Sequence, residues 1–209
     1  MTSAAEISAI LRLARTCESE GVRAALARLV SVEGSHYRKP GARMLLAEDG
    51  RTVGTISAGC LEADLRRRLP DVFASGRTES IDYDSRTFED LVWGLGSGCN
   101  GFVRVLLSPF AGPLREIHEQ ISGILAGGAT VHLATAVAPP SGSDLRTGDV
   151  RMVVGEETLP REEPSGIFRE EILPAITLLI AGAGPDAVPL ARMAAGLAIA
   201  SGSLGRSCV

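Results

Sequence analysis

Two glycine-framed cysteine turns constrain this chain more than any other feature. The first lies in Gly54–Arg68, GTISAGCLEADLRRR, and the second in Gly94–Gly101, GLGSGCNG. The first runs from a short β-like segment, Val53–Ile56, into a stretch where Leu61, Leu65, Leu69, Val72 and Phe73 recur at helical spacing. That spacing predicts a helix with one buried face. Cys60 then stands at the helix start, where unpaired amides and the positive dipole end favour an anion, a thiolate included. A thiolate there serves as nucleophile or metal ligand. The second stretch leads from Leu91–Trp93 into a strand-like run, Phe102–Leu107. Glycines at 94, 96, 98 and 101 permit positive φ and close approach of a ligand to the backbone. Two such turns meeting in space form a pocket of amide donors and thiols. The same pattern also describes a tight turn around a small buried residue, since free cysteines are among the most buried types.

The core around these turns must be aliphatic, because only 4% of the 209 residues are aromatic. A formal charge of −4 gives no reason to expect a nucleic-acid partner, and the Arg66–Arg68 run reads as a solvated helix face. Four irregularly spaced cysteines, with no basic leader at the start, predict reduced thiols and a cytoplasmic location. No uncharged apolar run reaches membrane-spanning length.

Residues 4–20 predict an amphipathic helix with Ile7, Ile10, Leu11, Ala14 and Cys17 on one stripe, which makes Cys17 core packing. A strand is expected over 24–33, then a loop at Gly34–Arg43. Arg43–Glu48 and Thr52–Ile56 form a hairpin around Asp49-Gly50. After the Cys60 helix, Arg77–Asp84 alternates as an edge strand, Thr87–Trp93 is a short helical turn, and Phe102–Ser108 is a strand. Pro113–Ala126 is a second amphipathic helix, with His118 on its packed face. Ala129–Val137 reads as a strand and Val150–Leu159 as a hairpin around Gly155-Glu156. The whole is an α+β or α/β fold, with a mixed-sheet domain over residues 1–174.

Composition shifts after Pro174. Ile176–Ala181, ITLLIA, is an apolar run of the buried parallel-strand kind, followed by Gly182-Ala183-Gly184-Pro185-Asp186-Ala187 and an apolar helix to about Leu197. Strand, GxGxxA and helix in that order open a dinucleotide-binding fold. The second strand and its acidic residue, which would hold the ribose, are missing from the sequence pattern. Residues 175–209 are therefore expected to be an incomplete Rossmann-like βα unit.

Pro40-Gly41-Ala42-Arg43-Met44, Gly50-Arg51, Gly54–Glu62 and Gly94–Gly101 together resemble the XdhC/CoxI family, accessory proteins of xanthine and carbon monoxide dehydrogenase maturation. The resemblance runs from about residue 10 to 200, with the motifs in the family's order. Family members complete a Rossmann-like domain after the glycine loop, and this chain departs from them after Ala200. The resemblance implies binding of molybdenum cofactor (molybdopterin), help in its sulfuration, and delivery to an apo-molybdenum hydroxylase. Implied partners are that dehydrogenase and a cofactor-sulfurating enzyme, while the open apolar strand edge of Ile176–Ala181 favours pairing with a second copy of the chain. Implied cofactor contacts are Gly59, Cys60 and Glu62 in the first turn, Gly98, Cys99, Asn100 and Gly101 in the second, and Arg43. Backbone amides with Arg38, Lys39 or Arg43 suit the cofactor's phosphate, and the Cys60 and Cys99 thiolates suit its soft metal.

Other function classes stand beside this one. An NAD(P)-dependent oxidoreductase would use Gly182–Ala187, but lacks the ribose-binding acid. A thiol-redox protein would pair Cys60 with Cys99, although no CxxC exists. A non-catalytic remnant would only associate through an open strand edge.

Overall fold

The computed structural model describes residues 3–84, 101–154, 166–182, 184–196 and 200–204. In chain order the elements are α1 (Ala4–Ser19), β1 (Ala24–Gly34), β2 (Arg43–Ala47), β3 (Thr52–Gly54), α2 (Glu62–Ser75), β4 (Glu79–Asp84) and β5 (Gly101–Pro109). There follow α3 (Gly112–Ala126), β6 (Val131–Ala136), β7 (Val150–Val154), β8 (Ile167–Ile172), β9 (Thr177–Ala181), α4 (Ala187–Gly196) and β10 (Ala200–Leu204).

An antiparallel sheet in the order β3-β2-β1-β5-β4 forms the frame. Its central strand β1, AALARLVSVEG, is apolar on both faces, as a strand covered from two sides must be. Ala25, Ala27 and Leu29 point to one core, closed by Leu61, Leu65, Leu69 and Val72 of the Cys60 helix segment. Leu26 and Leu45 point to a second core, closed by α1, α3 and a smaller antiparallel sheet ordered β7-β6-β8. The five-stranded sheet is thus covered on both faces, the first by α2 among the described elements.

Local chemistry explains the elements. Ser3 and Glu6 form a reciprocal capping box at the start of α1, and its whole predicted stripe, Cys17 included, is buried. Gly76, left-handed at φ 64°, stops α2 by donating to the Val72 carbonyl. The hairpin turns at Asp49-Gly50, where Gly50 has φ 94°. β4 is an edge strand, as its alternation predicts.

Some expectations are corrected. Both N-terminal sheets are antiparallel throughout, and parallel pairing is confined to the C-terminal unit. β8 carries no strand signal in the sequence pattern, yet it pairs along all of β6. β7 also pairs with β6; the return arm of the expected hairpin, like Thr87–Trp93, lies outside the described residues. The largest correction is β10. Ala200–Leu204, ASGSL, runs parallel to β9, so β9-α4-β10 is a complete βαβ unit rather than a lone βα unit. Its small residues have weak strand propensity, and the ladder to β9 supplies what propensity does not.

Candidate functional site

The chain leaves β3 through Gly54 at φ 84°, where a Cβ would lie 2.2 Å from the Arg43 carbonyl oxygen. Only glycine permits that approach, so the turn that follows is pinned against β2. Glu62, the first residue of α2, then folds its carboxylate back over the turn. Its Oε1 accepts from the Ser57 amide (2.8 Å), the Thr55 hydroxyl (3.1 Å) and the Ile56 amide (3.3 Å), and its Oε2 accepts from the Ser57 hydroxyl. Ser57 Oγ in turn accepts from the Gly59 and Leu61 amides, at 3.1 and 3.2 Å. Burial raises the Glu62 pKa and the bonds from Ser57 and Thr55 lower it; the net direction is down, so the group is a carboxylate at neutral pH.

This network presents Cys60. Its thiol is half-buried and packs against the core under α2, alongside Val32 and Tyr83. Gly59 beside it has φ 114°, and no described residue lies within 4 Å of the place a Cβ would occupy, which leaves the backbone there open on the described side. One helical turn on, Asp64 accepts a 2.8 Å hydrogen bond from the Tyr83 hydroxyl, tying α2 to the end of β4. Burial and that bond push the Tyr83 phenol up, which keeps it a donor.

Tyr83 is opposite Val103 in β5, Val103 is opposite Val32 in β1, and the ladder closes two residues later at Gly34 opposite Gly101. A Cβ on Gly101 would lie 2.4 Å from the Glu33 carbonyl oxygen. The Cys60 turn and the start of β5 therefore gather at one end of the sheet. Gly98, Cys99 and Asn100 lie outside the described residues.

Arg43 is not brought to this end. It lies in β2, 1% exposed, and its guanidinium is held by both Glu170 oxygens (2.6 and 2.9 Å) and the Gly41 carbonyl (2.9 Å). It faces the second core, on the side of the sheet away from Cys60. Arg38 is paired with Glu6 at 2.8 Å, and Lys39 is exposed. His118 is packed as expected: its Nδ1 contacts the Leu114 carbonyl at 2.7 Å and its ring meets Phe110 edge-on. Among the described residues no group of three or more His, Cys, Asp or Glu could hold a metal ion, and no helix is long and apolar enough to cross a membrane.

Sequence reasoning missed Ser57, Thr55 and Tyr83. The Ser57–Glu62 spacing is five rather than the three of a capping box, so no local pattern flags it. Tyr83 reveals itself only through strand register.

Residues 17–84 match the family model described as the XdhC and CoxI family. The chain is 35% identical over 188 residues to a Bacillus subtilis protein named as a probable subunit of xanthine dehydrogenase, covering 82% of this chain and 56% of that protein. It is 37% identical over 90 residues to the molybdenum cofactor insertion chaperone PaoD of Escherichia coli, covering 43% of this chain and 28% of that one. Its fold is similar, at TM-score 0.74 and 30% identity, to a crystal structure titled as a xanthine dehydrogenase from Bacillus halodurans, over 93% of this chain and 61% of that chain. The match thus spans little more than half of the Bacillus subtilis relative and less of PaoD. The match to the XdhC and CoxI family model falls on the residues that supply β1 to β4, α2 and the Cys60 turn.

Proposed function

We propose that this chain is an accessory protein that takes molybdenum cofactor as its cargo at the Cys60 turn. It passes the cofactor to an apo-molybdoenzyme of the xanthine or carbon monoxide dehydrogenase type. The observation that carries this reading is the half-buried Cys60 thiol beside the open Gly59 backbone, at the sheet end where β5 begins. Cys99 precedes Gly101 by two positions, and two residues of chain reach at most about 7 Å. In this reading Cys60 and Cys99 offer soft sulfur donors to the cargo's metal, a donor type that suits a sulfur-held molybdenum centre. Gly59 and the Gly98–Gly101 turn, Asn100 included, let it approach the backbone. Glu62 positions the turn without touching the cargo, since its oxygens are already taken by Ser57 and Thr55. Arg43 has no part in it. The names of the relatives, one a cofactor insertion chaperone, point the same way.

In the finer form of this reading, the chain holds the cofactor accessible while a separate sulfurating enzyme acts on it. NAD(P) is not assigned: β10 completes the βαβ unit, but residues 200–206, ASGSLGR, offer no carboxylate for a ribose. The test is to incubate the chain with molybdenum cofactor, separate by gel filtration, oxidise, and follow pterin fluorescence. Fluorescence in the protein peak is the expected result; its confinement to the small-molecule fraction would overturn the proposal.

A further inference from the structure

The face of the five-stranded sheet away from Cys60 carries a second, chemically distinct site. A groove of about 1420 Å³ opens between the end of β5, the start of α3 and the loop before β7. Arg77, Arg146 and Arg151 line it, and none of the three forms an ion pair among the described residues. Asp144 and Asp149 also line it, and Asp149 accepts from the Arg146 amide at 2.8 Å, which leaves the arginine side chain uncommitted. The first turn of the fifteen-residue helix α3 forms one wall. Its N-cap is Ala111, with no side-chain cap and no acidic residue in that turn, so the amides of Gly112 and Leu114 have no capping side chain, while Pro113 has no N–H to offer.

One buried hydroxyl at the groove points to a ligand independently of that helix end, and a buried cation stands behind the wall. Ser108, 2% exposed, shares a 2.9 Å hydrogen bond with Thr78. Two hydroxyls sharing one bond leave one proton without an acceptor among the described residues, and the groove that both line is its way out. Behind the same wall lies Arg28, 2% exposed, whose two terminal nitrogens reach only neutral partners, Thr135 Oγ1 and the Gly148 carbonyl, both at 3.1 Å. Its Nε has no partner among the described residues. Gly148 lines the groove, so a buried, poorly screened cation stands one residue behind its surface. The remaining wall is apolar: Leu114, Ile117, Leu145 and Val150.

We propose that this groove binds an organic phosphate of nucleotide size, its phosphates at the α3 start among Arg77, Arg146 and Arg151, and its ring against the apolar wall. Backbone amides, arginines and a hydroxyl donor form the donor set that phosphate oxygens take, and the groove is far larger than a free anion needs. The site is independent of the Cys60 turn, from which the sheet separates it.

The experiment is calorimetry of the full chain with ADP, and with pyrophosphate as a second probe. ADP binds the parent chain and binds about tenfold or more weakly to the R77Q/R146Q/R151Q variant, whose substitutions are all at the surface and leave the far-UV circular dichroism unchanged. Ser108→Ala also weakens it, whereas Cys60→Ser does not, which separates this site from the proposed cofactor site. Undetectable ADP binding at millimolar concentration, or binding unaltered in the triple variant, would overturn the proposal. Equal affinity for pyrophosphate and ADP would overturn the organic part of the assignment.

Discussion

Glu62 is the residue on which the geometry of the Cys60 turn depends. Removing its carboxylate by Glu62→Ala leaves the Ser57 amide and hydroxyl without their acceptor, and hydrogen bonds to a charged group are each worth about 1.5–3 kcal/mol. The variant should lose stability on that order in urea denaturation; an unchanged midpoint would show that the turn holds without it. His118 makes a different residue-scale prediction. Burial, then the Arg43 and Arg28 charges, lower its pKa to about 3, and the Leu114 carbonyl offsets only part of this. The unfolded chain, with an ordinary histidine pKa near 6.5, therefore takes the proton first as pH falls. Stability from this residue is complete above about pH 6.5 and declines by up to about 1.4 kcal/mol per unit toward the folded value. The His118 ring resonances should hold their neutral shifts in NMR spectra down to about pH 4.5; a titration midpoint near the ordinary value would contradict the burial argument.

At the scale of elements, the central problem is a pair of arginines. Arg28 in β1 and Arg43 in β2 are direct partners across the ladder, both buried, an arrangement that repels. Glu170, from β8 of the other sheet, neutralises one of them with two hydrogen bonds to Arg43. Burial and the neighbouring Arg43 lower the Arg28 pKa to about 10, which leaves it charged at neutral pH. Glu170→Ala should cost about 3–5 kcal/mol, the range for uncovering a buried charge. Glu48→Ala, which breaks only an exposed pair with Arg23, should leave the denaturation midpoint close to the parent's. Equal effects of the two substitutions would mean that Glu170 does not hold the sheets together. The helices and the β2–β3 hairpin were legible in the sequence because their signal is local: the α1 stripe, the Leu61–Val72 spacing and the Asp49-Gly50 turn each declare themselves within a few residues. The arginine pair and its carboxylate were not, because register sets the first and a contact across 127 positions sets the second. For the same reason Arg43 could be read from sequence as a phosphate ligand, when its partner is Glu170. The site was legible as a cysteine in a glycine turn, while its support by Ser57 and Tyr83 required the fold.

At the scale of the whole molecule, the βαβ unit of β9, α4 and β10 packs chiefly with itself. Ile176 is 73% exposed and Met193 68%, and Leu179, Val188 and Leu190 are exposed as well. Burying one such side chain is worth roughly 1.5–3 kcal/mol, so this face favours association. We propose that it mediates a homodimer, and light scattering should give a dimer for the full chain and a monomer for a version ending at Leu173. Monomers in both cases would contradict this. The central claim is that the Cys60 and Cys99 thiols hold molybdenum cofactor, and retention of the cofactor through gel filtration tests it most directly. The parent chain and a Cys208→Ser control should carry the pterin fluorescence with the protein, while Cys60→Ser and Cys99→Ser should each lose most of it, because serine keeps the size but not the soft sulfur. Full retention by both of those variants would contradict the account and leave the two cysteines as packing residues.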